Sequence, residues 1–303
     1  MQALFIGQTY IDVVFITAHM PTGDEKHVAT DYAVSFGGNA VTAAFCCAKL
    51  GIVPDLIATA ANDWLGRMFQ DMCAKYAISL HGRKVNQSSL SFIMPKDGKR
   101  AIVRCRDDEH IHPFPILNLG GCRALHIDGH QPDAAIHYAK VCREAGILTS
   151  LDGGGLRTNT HELLEFIDVA IVAERLCEQM DLTPEKMLDY LKSRGCKIGG
   201  VTMGEKGLLW YNETGAVEIM PAMPIPRERV IDTNGAGDVF HGAYVYSYLA
   251  HPGKSWREHF DFARAASTFK IQRLGNEAGL PTLADIDALK QEFQIGRKKE
   301  FWD

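Results

Sequence analysis

The sequence predicts an α/β fold: a doubly wound, mostly parallel sheet flanked by helices, with a small antiparallel β lid, in a single domain over 1–303. Three observations point there. Short apolar runs alternate with helical stretches of about ten to fifteen residues, the rhythm of parallel strands covered on both faces. Two segments, about 12–35 and 85–106, break that rhythm with strand-like stretches and no helix between them. Near three-quarters of the chain, Asp232-Thr233-Asn234-Gly235-Ala236-Gly237-Asp238 follows the apolar pair Val230-Ile231 and runs into a helical stretch over 239–245.

Residues 3–6 form an apolar run ended by Gly7, residues 13–16 form another, and 28–36 alternate loosely, so all three read as strands. Gly37-Gly38 opens a helix over 39–50. There Ala40, Val41, Ala43, Ala44, Phe45, Cys46, Cys47 and Ala48 leave almost no polar face, so the helix is buried, and Gly51 ends it. The alternation continues with a strand at 55–59 and a helix at 64–76, then 124–127 and 133–145, then 147–151 and a helical stretch near 161–166. A strand at 169–172, a helix at 184–193 and a strand at 198–202 lead to the glycine-led helix. In the lid, strands at 88–94 and 100–104 flank Pro95-Lys96-Asp97-Gly98-Lys99, a hairpin turn signal. Such a flap suits a lid over a ligand, a dimerisation sheet, or both. At the C-terminal end, 281–285 resembles a helix start, and Leu283, Ile286, Leu289 and Phe293 share one face, so a docked helix is expected.

With 303 residues, 46% of them apolar, the chain can bury a sizeable core. A formal charge of −5, with Arg297-Lys298-Lys299 as the only concentrated basic cluster, argues against a nucleic-acid or membrane-surface partner. No run approaches the roughly 18 apolar residues of a membrane span, and residues 1–7 carry no signal-peptide pattern. None of the eight cysteines forms a Cys-x-x-Cys pair and several sit in apolar runs. They read as small core residues in a reducing cytoplasm, and His110-x-His112 as a loop feature.

The heptapeptide carries the chemistry. Two glycines one residue apart let successive N–H groups point outward at a helix start, where unpaired amides and the positive end of the helix dipole hold an anion. A carboxylate on the rim, Asp238, would repel that anion unless its task is to take a proton from a hydroxyl attacking a phosphoryl group. A bare Gly-x-Gly before a helix is more often only a tight turn; the whole string points to a phosphotransferase.

Together, the alternating body, the Gly37–Gly51 segment closing in Ala48-Lys49-Leu50-Gly51, and the Asp-Thr-x-Gly-Ala-Gly-Asp string resemble the PfkB/ribokinase family over essentially the whole chain. The resemblance implies transfer of the γ-phosphate of ATP to a sugar-like alcohol. It implies Asp238 as catalytic base and the amides of Gly235, Ala236 and Gly237 as the anion hole. Asp232 would brace the loop and, by similarity, help bind a monovalent cation such as K+. Asp12 would grip substrate hydroxyls, with Gly38 and Asn39 allowing close backbone approach to the sugar. Thr42 stands where the family frequently has Asn, a departure at a sugar-hydroxyl contact.

Thr202-Met203-Gly204-Glu205-Lys206-Gly207 resembles the family's Thr-x-Gly-x-x-Gly loop against the nucleotide, in which Thr202, Gly204 and Gly207 would contact ATP; a plain hairpin is compatible with that role. The segment 270–279 corresponds to the border of adenine and the monovalent ion, with Gly275 and Asn276 as the contacts. A second departure is Ala173-Glu174-Arg175-Leu176 in place of the magnesium-associated Asn-x-x-Glu. Glu174 would supply part of that role through water, leaving Mg2+ chiefly to ATP phosphates and solvent.

Thr42, Lys26 and the Val239-Phe240-His241-Gly242-Ala243 run look closest to family members acting on a sulfonated fructose. Arg104 and Arg106, which alternation puts on one face, would meet a substrate anion together or belong to a solvated edge strand together. The acceptor is thus a sugar or sugar acid and the expected assembly a homodimer through the lid. A nucleoside kinase of the same family and a catalytically silent sugar- or nucleotide-binding regulator are the competing readings.

Overall fold

The computed structural model describes residues 1–17, 23–96 and 99–300. Its frame is a nine-stranded sheet. From edge to edge the order is β13 (Val217–Met220), β12 (Leu208–Tyr211), β11 (Ile198–Thr202), β10 (Val169–Ala173), β9 (Leu148–Gly153), β8 (Ala124–Ile127), β1 (Ala3–Gly7), β4 (Asp55–Ala60) and β5 (Ser79–Lys84). From β11 to β5 all neighbours pair in parallel, while β12 and β13 form an antiparallel edge. β1 and β8 are buried along their whole length, which explains why they read as unbroken apolar runs. After β1 the chain builds outward through β4 and β5, then returns to β8 on the other side. The order therefore reverses between β1 and β8, and the crevice beyond the carboxyl ends of these strands is where such sheets bind ligands.

Two helices with scarcely any polar face, α1 (Asn39–Leu50) and α7 (Ala236–Ala250), form the central layer on one side. They approach closely because position 242 is glycine; a Cβ there would collide with the Ala43 carbonyl. Behind α7 lies α8 (Trp256–Lys270), whose Phe260 stacks on Phe240 with ring centroids 5.6 Å apart. The C-terminal helix α9 (Leu283–Glu300) docks through Ile286 and Leu289, as its apolar face predicts.

Several elements depart from the sequence expectation. β5 has the polar sequence Ser-Leu-His-Gly-Arg-Lys and no strand signature; it is held by parallel pairing with β4 and by Arg83, whose buried guanidinium forks onto Asp133 at 2.5 and 2.6 Å. α8 also goes unforeseen, although Ser255 and Glu258 form a reciprocal capping box at its start. The third strand begins at Asp31, not 28, and Val28 is exposed.

The lid is a four-stranded sheet in the order β3 (Asp31–Gly37), β2 (Tyr10–Ile16), β6 (Leu90–Lys96) and β7 (Lys99–Cys105). Its outer pairs are antiparallel, but its central pair, β2 with β6, is parallel. Asp97 and Gly98, the tip of the expected turn, lie outside the described residues. Seven cysteines are buried as expected, whereas Cys105, on the outermost lid strand, is exposed.

Candidate active site

The heptapeptide forms a loop that ends in α7. Gly235 is the residue before the helix and has φ +74°. It must be glycine twice over: that backbone conformation disfavours any side chain, and a Cβ would collide with Oδ1 of Asn276. Ala236, Gly237 and Asp238 then make the first turn, whose N–H groups have no helical carbonyl to bond; that of Ala236 makes a long bond to the Thr233 carbonyl at 3.4 Å. Gly237 is exposed, and a Cβ added there would meet nothing within 4 Å, so this end of the helix opens to solvent. Asp238 is the third helical residue and half-buried.

Beneath the turn, Asp232 is fully enclosed, with both carboxylate oxygens hydrogen-bonded. Its Oδ1 accepts from the Asn234 amide at 2.8 Å, and its Oδ2 accepts from the Gly275 amide and from Lys270 Nζ, both at 3.0 Å. Lys270, the last residue of α8, has no exposed surface. The loop is joined to the lid by Asn234, whose Nδ2 donates to Oδ2 of Asp12 at 3.0 Å.

Asp12 is the centre of a buried polar recess beneath the lid. It sits on β2 where Gly37 faces it, since a Cβ at 37 would overlap the carboxylate. Asn276 Nδ2 reaches the same Asp12 oxygen at 3.1 Å and also donates to the Phe36 carbonyl at 2.8 Å. Burial raises the Asp12 carboxyl above its usual range, against the pull of the neighbouring Ser91 hydroxyl, its amide donors and Arg104. Asp12 Oδ1 and Asn276 Oδ1, both buried, make no hydrogen bond among the described residues. Strand register places Ser35, Asp12, Ser91 and Arg104 in one row across the lid, on the face toward the sheet.

At the start of α1, Gly38 has φ +102° and its missing Cβ leaves room for the Gln8 carbonyl. Asn39 Nδ2 donates to Asp152 Oδ2 at 3.1 Å. Asp128, just past β8, accepts from the amides of Gln8 and Ala40, each at 3.3 Å, tying three elements at the crevice. Burial pushes the Asp152 carboxyl up to about 7. His241 Nε2 lies 3.6 Å from it, held neutral by burial that lowers its pKa to about 3. Asp128 and Asp152 have no place in the sequence expectation, and Asn234 and Lys270 fall within its named segments without a role of their own. The two aspartates had a legible signal, a carboxylate at the carboxyl end of an apolar strand.

The remaining positions spread out. Thr42 is completely buried in α1 and its hydroxyl has no hydrogen-bond partner among the described residues. Thr202 ends β11, its hydroxyl donating to the Val172 carbonyl at 3.3 Å, and Gly204 to Gly207 form the hairpin into β12. Glu174 opens the short helix α5 (Glu174–Gln179) after β10 and pairs with Lys206 at 3.4 Å. Gly275 and Asn276 are buried, the latter in the recess with Asp12. Arg104 is exposed, its guanidinium 5.0 Å from the Tyr10 ring centre. Arg106 lies beyond the end of β7 and pairs with Asp108 at 2.7 Å, so the alternation that would keep it with Arg104 is lost.

A doubly wound sheet, a glycine-capped helix start with a carboxylate in its first turn, and a buried polar recess under a β lid define a sugar kinase of ribokinase-like fold. The chain belongs to the pfkB family of carbohydrate kinases, whose family model matches residues 2–283. It is 23% identical to the ribokinase of Lactococcus lactis subsp. lactis (strain IL1403), over 96% of this chain and 97% of the relative. Its fold is similar to that of Arabidopsis thaliana ribokinase complexed with ribose and ATP, with TM-score 0.77 and 23% identity over 95% of this chain and 98% of that one. Giardia lamblia ribokinase is likewise similar, with TM-score 0.80 and 17% identity over 96% and 99%.

Proposed function

We propose that this kinase transfers the γ-phosphoryl group of ATP to an alcohol of a sugar or sugar acid, with Asp238 as general base. The observation that supports this reading is the αL Gly235 locked against Asn276, which starts α7 with the exposed Gly237 in its first turn and the half-buried Asp238 beside it. The amides of Gly235, Ala236 and Gly237 stabilise the migrating phosphoryl, while Asp238 takes the hydroxyl proton; phosphoryl transfer asks mainly for positioning and charge stabilisation. Asp12, with one buried oxygen still able to accept, holds substrate hydroxyls beside Asn276, Gly38 and Asn39. Thr42 would need its buried hydroxyl uncovered to join them.

On the nucleotide side, Thr202, Gly204, Gly207 and Gly275 border ATP. Among the described residues no group of three acidic, histidine or cysteine side chains could hold a metal. Magnesium therefore fits here as an ion carried on ATP's own phosphates, with Glu174 near enough to the β11 hairpin to act through water. Arg104, in the row with Asp12, would meet an anionic acceptor, for which a sulfonated ketohexose is the motif-based candidate.

The opposite lid face carries Tyr32, Val34, Phe92 and Val103, all exposed, which supports a homodimer formed through the lid. No helix of the described residues is long and apolar enough to cross a membrane. The largely buried thiols suit a reducing cytoplasm. Measuring ATP consumption against a panel of neutral sugars, sugar acids, sulfonated sugars and nucleosides tests the reading. Turnover with a sugar or sugar acid is expected. Turnover with nucleosides alone, or with nothing, would overturn it.

A further inference from the structure

The resemblance implies a monovalent cation beside Asp232, and the residues present do not fit one. Lys270 fills that place. Its Nζ donates to Asp232 Oδ2 at 3.0 Å, to the Asp232 carbonyl at 3.1 Å and to the Arg273 carbonyl at 3.5 Å. Three ammonium protons thus meet three oxygens, one a carboxylate and two main-chain carbonyls, a donor set of the kind that binds hard cations. Both partners of the Asp232–Lys270 pair have no side-chain exposure. Asp232 Oδ1 accepts from the Asn234 amide and Oδ2 also from the Gly275 amide, so both carboxylate oxygens are partnered and the buried pair is electrically balanced. A second cation in this place would face the ammonium at close range.

The chain also makes room for the lysine stem. Position 279 is glycine, and a Cβ there would collide with Lys270 Cδ. At Gly235 a Cβ would lie 3.6 Å from Lys270 Cε, so the stem runs directly under the anion-binding turn.

We propose that the Lys270 ammonium is a built-in cation: it replaces a dissociable monovalent ion and sets the turn that presents the amides of residues 235–237. Lys270 is a positioning residue, acting through Asp232 and the 273–275 backbone. The proposal rests on the phosphotransferase reading for its role but not for its test.

The full-length enzyme is compared in potassium chloride and tetramethylammonium chloride at equal ionic strength. Melting temperature and calorimetric affinity for a non-hydrolysable ATP analogue are expected to be the same in both salts, with no potassium-specific activation of turnover. In Lys270→Ala, potassium or ammonium, but not tetramethylammonium, should raise the melting temperature and restore analogue affinity by about tenfold or more. A wild-type enzyme whose melting or analogue affinity depends specifically on potassium would overturn the proposal. So would a folded Lys270→Ala equally impaired in every salt, since that marks a merely structural lysine. Should Lys270→Ala not fold, the wild-type salt comparison alone decides. Neither binding nor melting needs an acceptor, so salt-indifferent melting without phosphotransfer would contradict the kinase reading and still support this one.

Discussion

The two ends of the crevice are built on different principles. On the proposed phosphate side, Gly235, Gly237, Asp232 and Lys270 shape a backbone turn, and both carboxylate oxygens of Asp232 have partners inside the protein. On the proposed acceptor side, Asp12, Asn276, Asp152, Asn39 and Arg104 offer side chains, and buried oxygens of Asp12 and Asn276 have no hydrogen-bond partner among the described residues. A phosphate is the same in every substrate, so a rigid backbone cup serves it. An acceptor differs from enzyme to enzyme and is read by exchangeable side chains with spare hydrogen-bonding capacity. The chemistry of this enzyme is therefore easier to infer than its sugar.

Breaking the phosphate side should have the largest effect. Gly235→Ala forces a Cβ into a left-handed residue and against Asn276. It should cost roughly 3 kcal/mol or more in stability, measured by urea unfolding, with turnover lost alongside. A variant with wild-type midpoint and turnover would show that the turn is not constrained as described.

The acceptor side should reveal itself through pH. His126 and His130 are held neutral by burial, as is His241, the second with its pKa lowered to about 4 and the third to about 3. Their depressed folded values mean that the unfolded chain takes up protons first, so their stabilisation is lost as pH falls below about 6.5. Asp152 runs the other way: raised to about 7, it keeps a proton in the folded state between about pH 4 and 7, and its stabilisation is lost as pH rises through that window. These three histidines, together with His259 in α8, whose pKa burial also lowers to about 4, outweigh the raised carboxyls of Asp152 and Asp12 and leave a net loss on acidification. Between pH 7 and 5.5 the loss should be on the order of 2 kcal/mol, read from urea midpoints. A midpoint that rises on acidification would mean that Asp152 outweighs the histidines.

The smallest effect sharpens the contrast. Arg104→Ala should raise KM for an anionic acceptor about tenfold, a loss of about 1.4 kcal/mol, and barely alter a neutral one. Equal shifts for both would remove Arg104 from anion recognition and leave it as a partner for the Tyr10 ring.

What the sequence disclosed follows the same division. The limits of α1 and the strand β11 were readable because glycine, proline and apolar periodicity act locally, and the 232–238 turn for the same reason. β5 was opaque, being polar and stabilised by a strand and an aspartate far away in the chain. α8 had its capping box in plain view, but its aromatic face makes sense only against α7. Lys270 reads as a surface lysine at a helix end until its partners from the 232 loop are seen. Thr42, a natural substrate contact by position, is sealed beneath the first turn of α1. Strand alternation does not relate Arg104 to Arg106, because β7 ends between them, yet the charges of both still act on Tyr10 and His130.

The central claim is that a carboxylate at the glycine-built helix start deprotonates the acceptor while the turn itself holds phosphate. Measuring turnover and ATP-analogue affinity together for Asp238→Asn tests it most directly. Turnover should fall about 10²–10⁴-fold, roughly 3–5 kcal/mol on the barrier, with nucleotide affinity nearly unchanged. Near-normal turnover, or a loss accounted for entirely by weaker nucleotide binding, would contradict it.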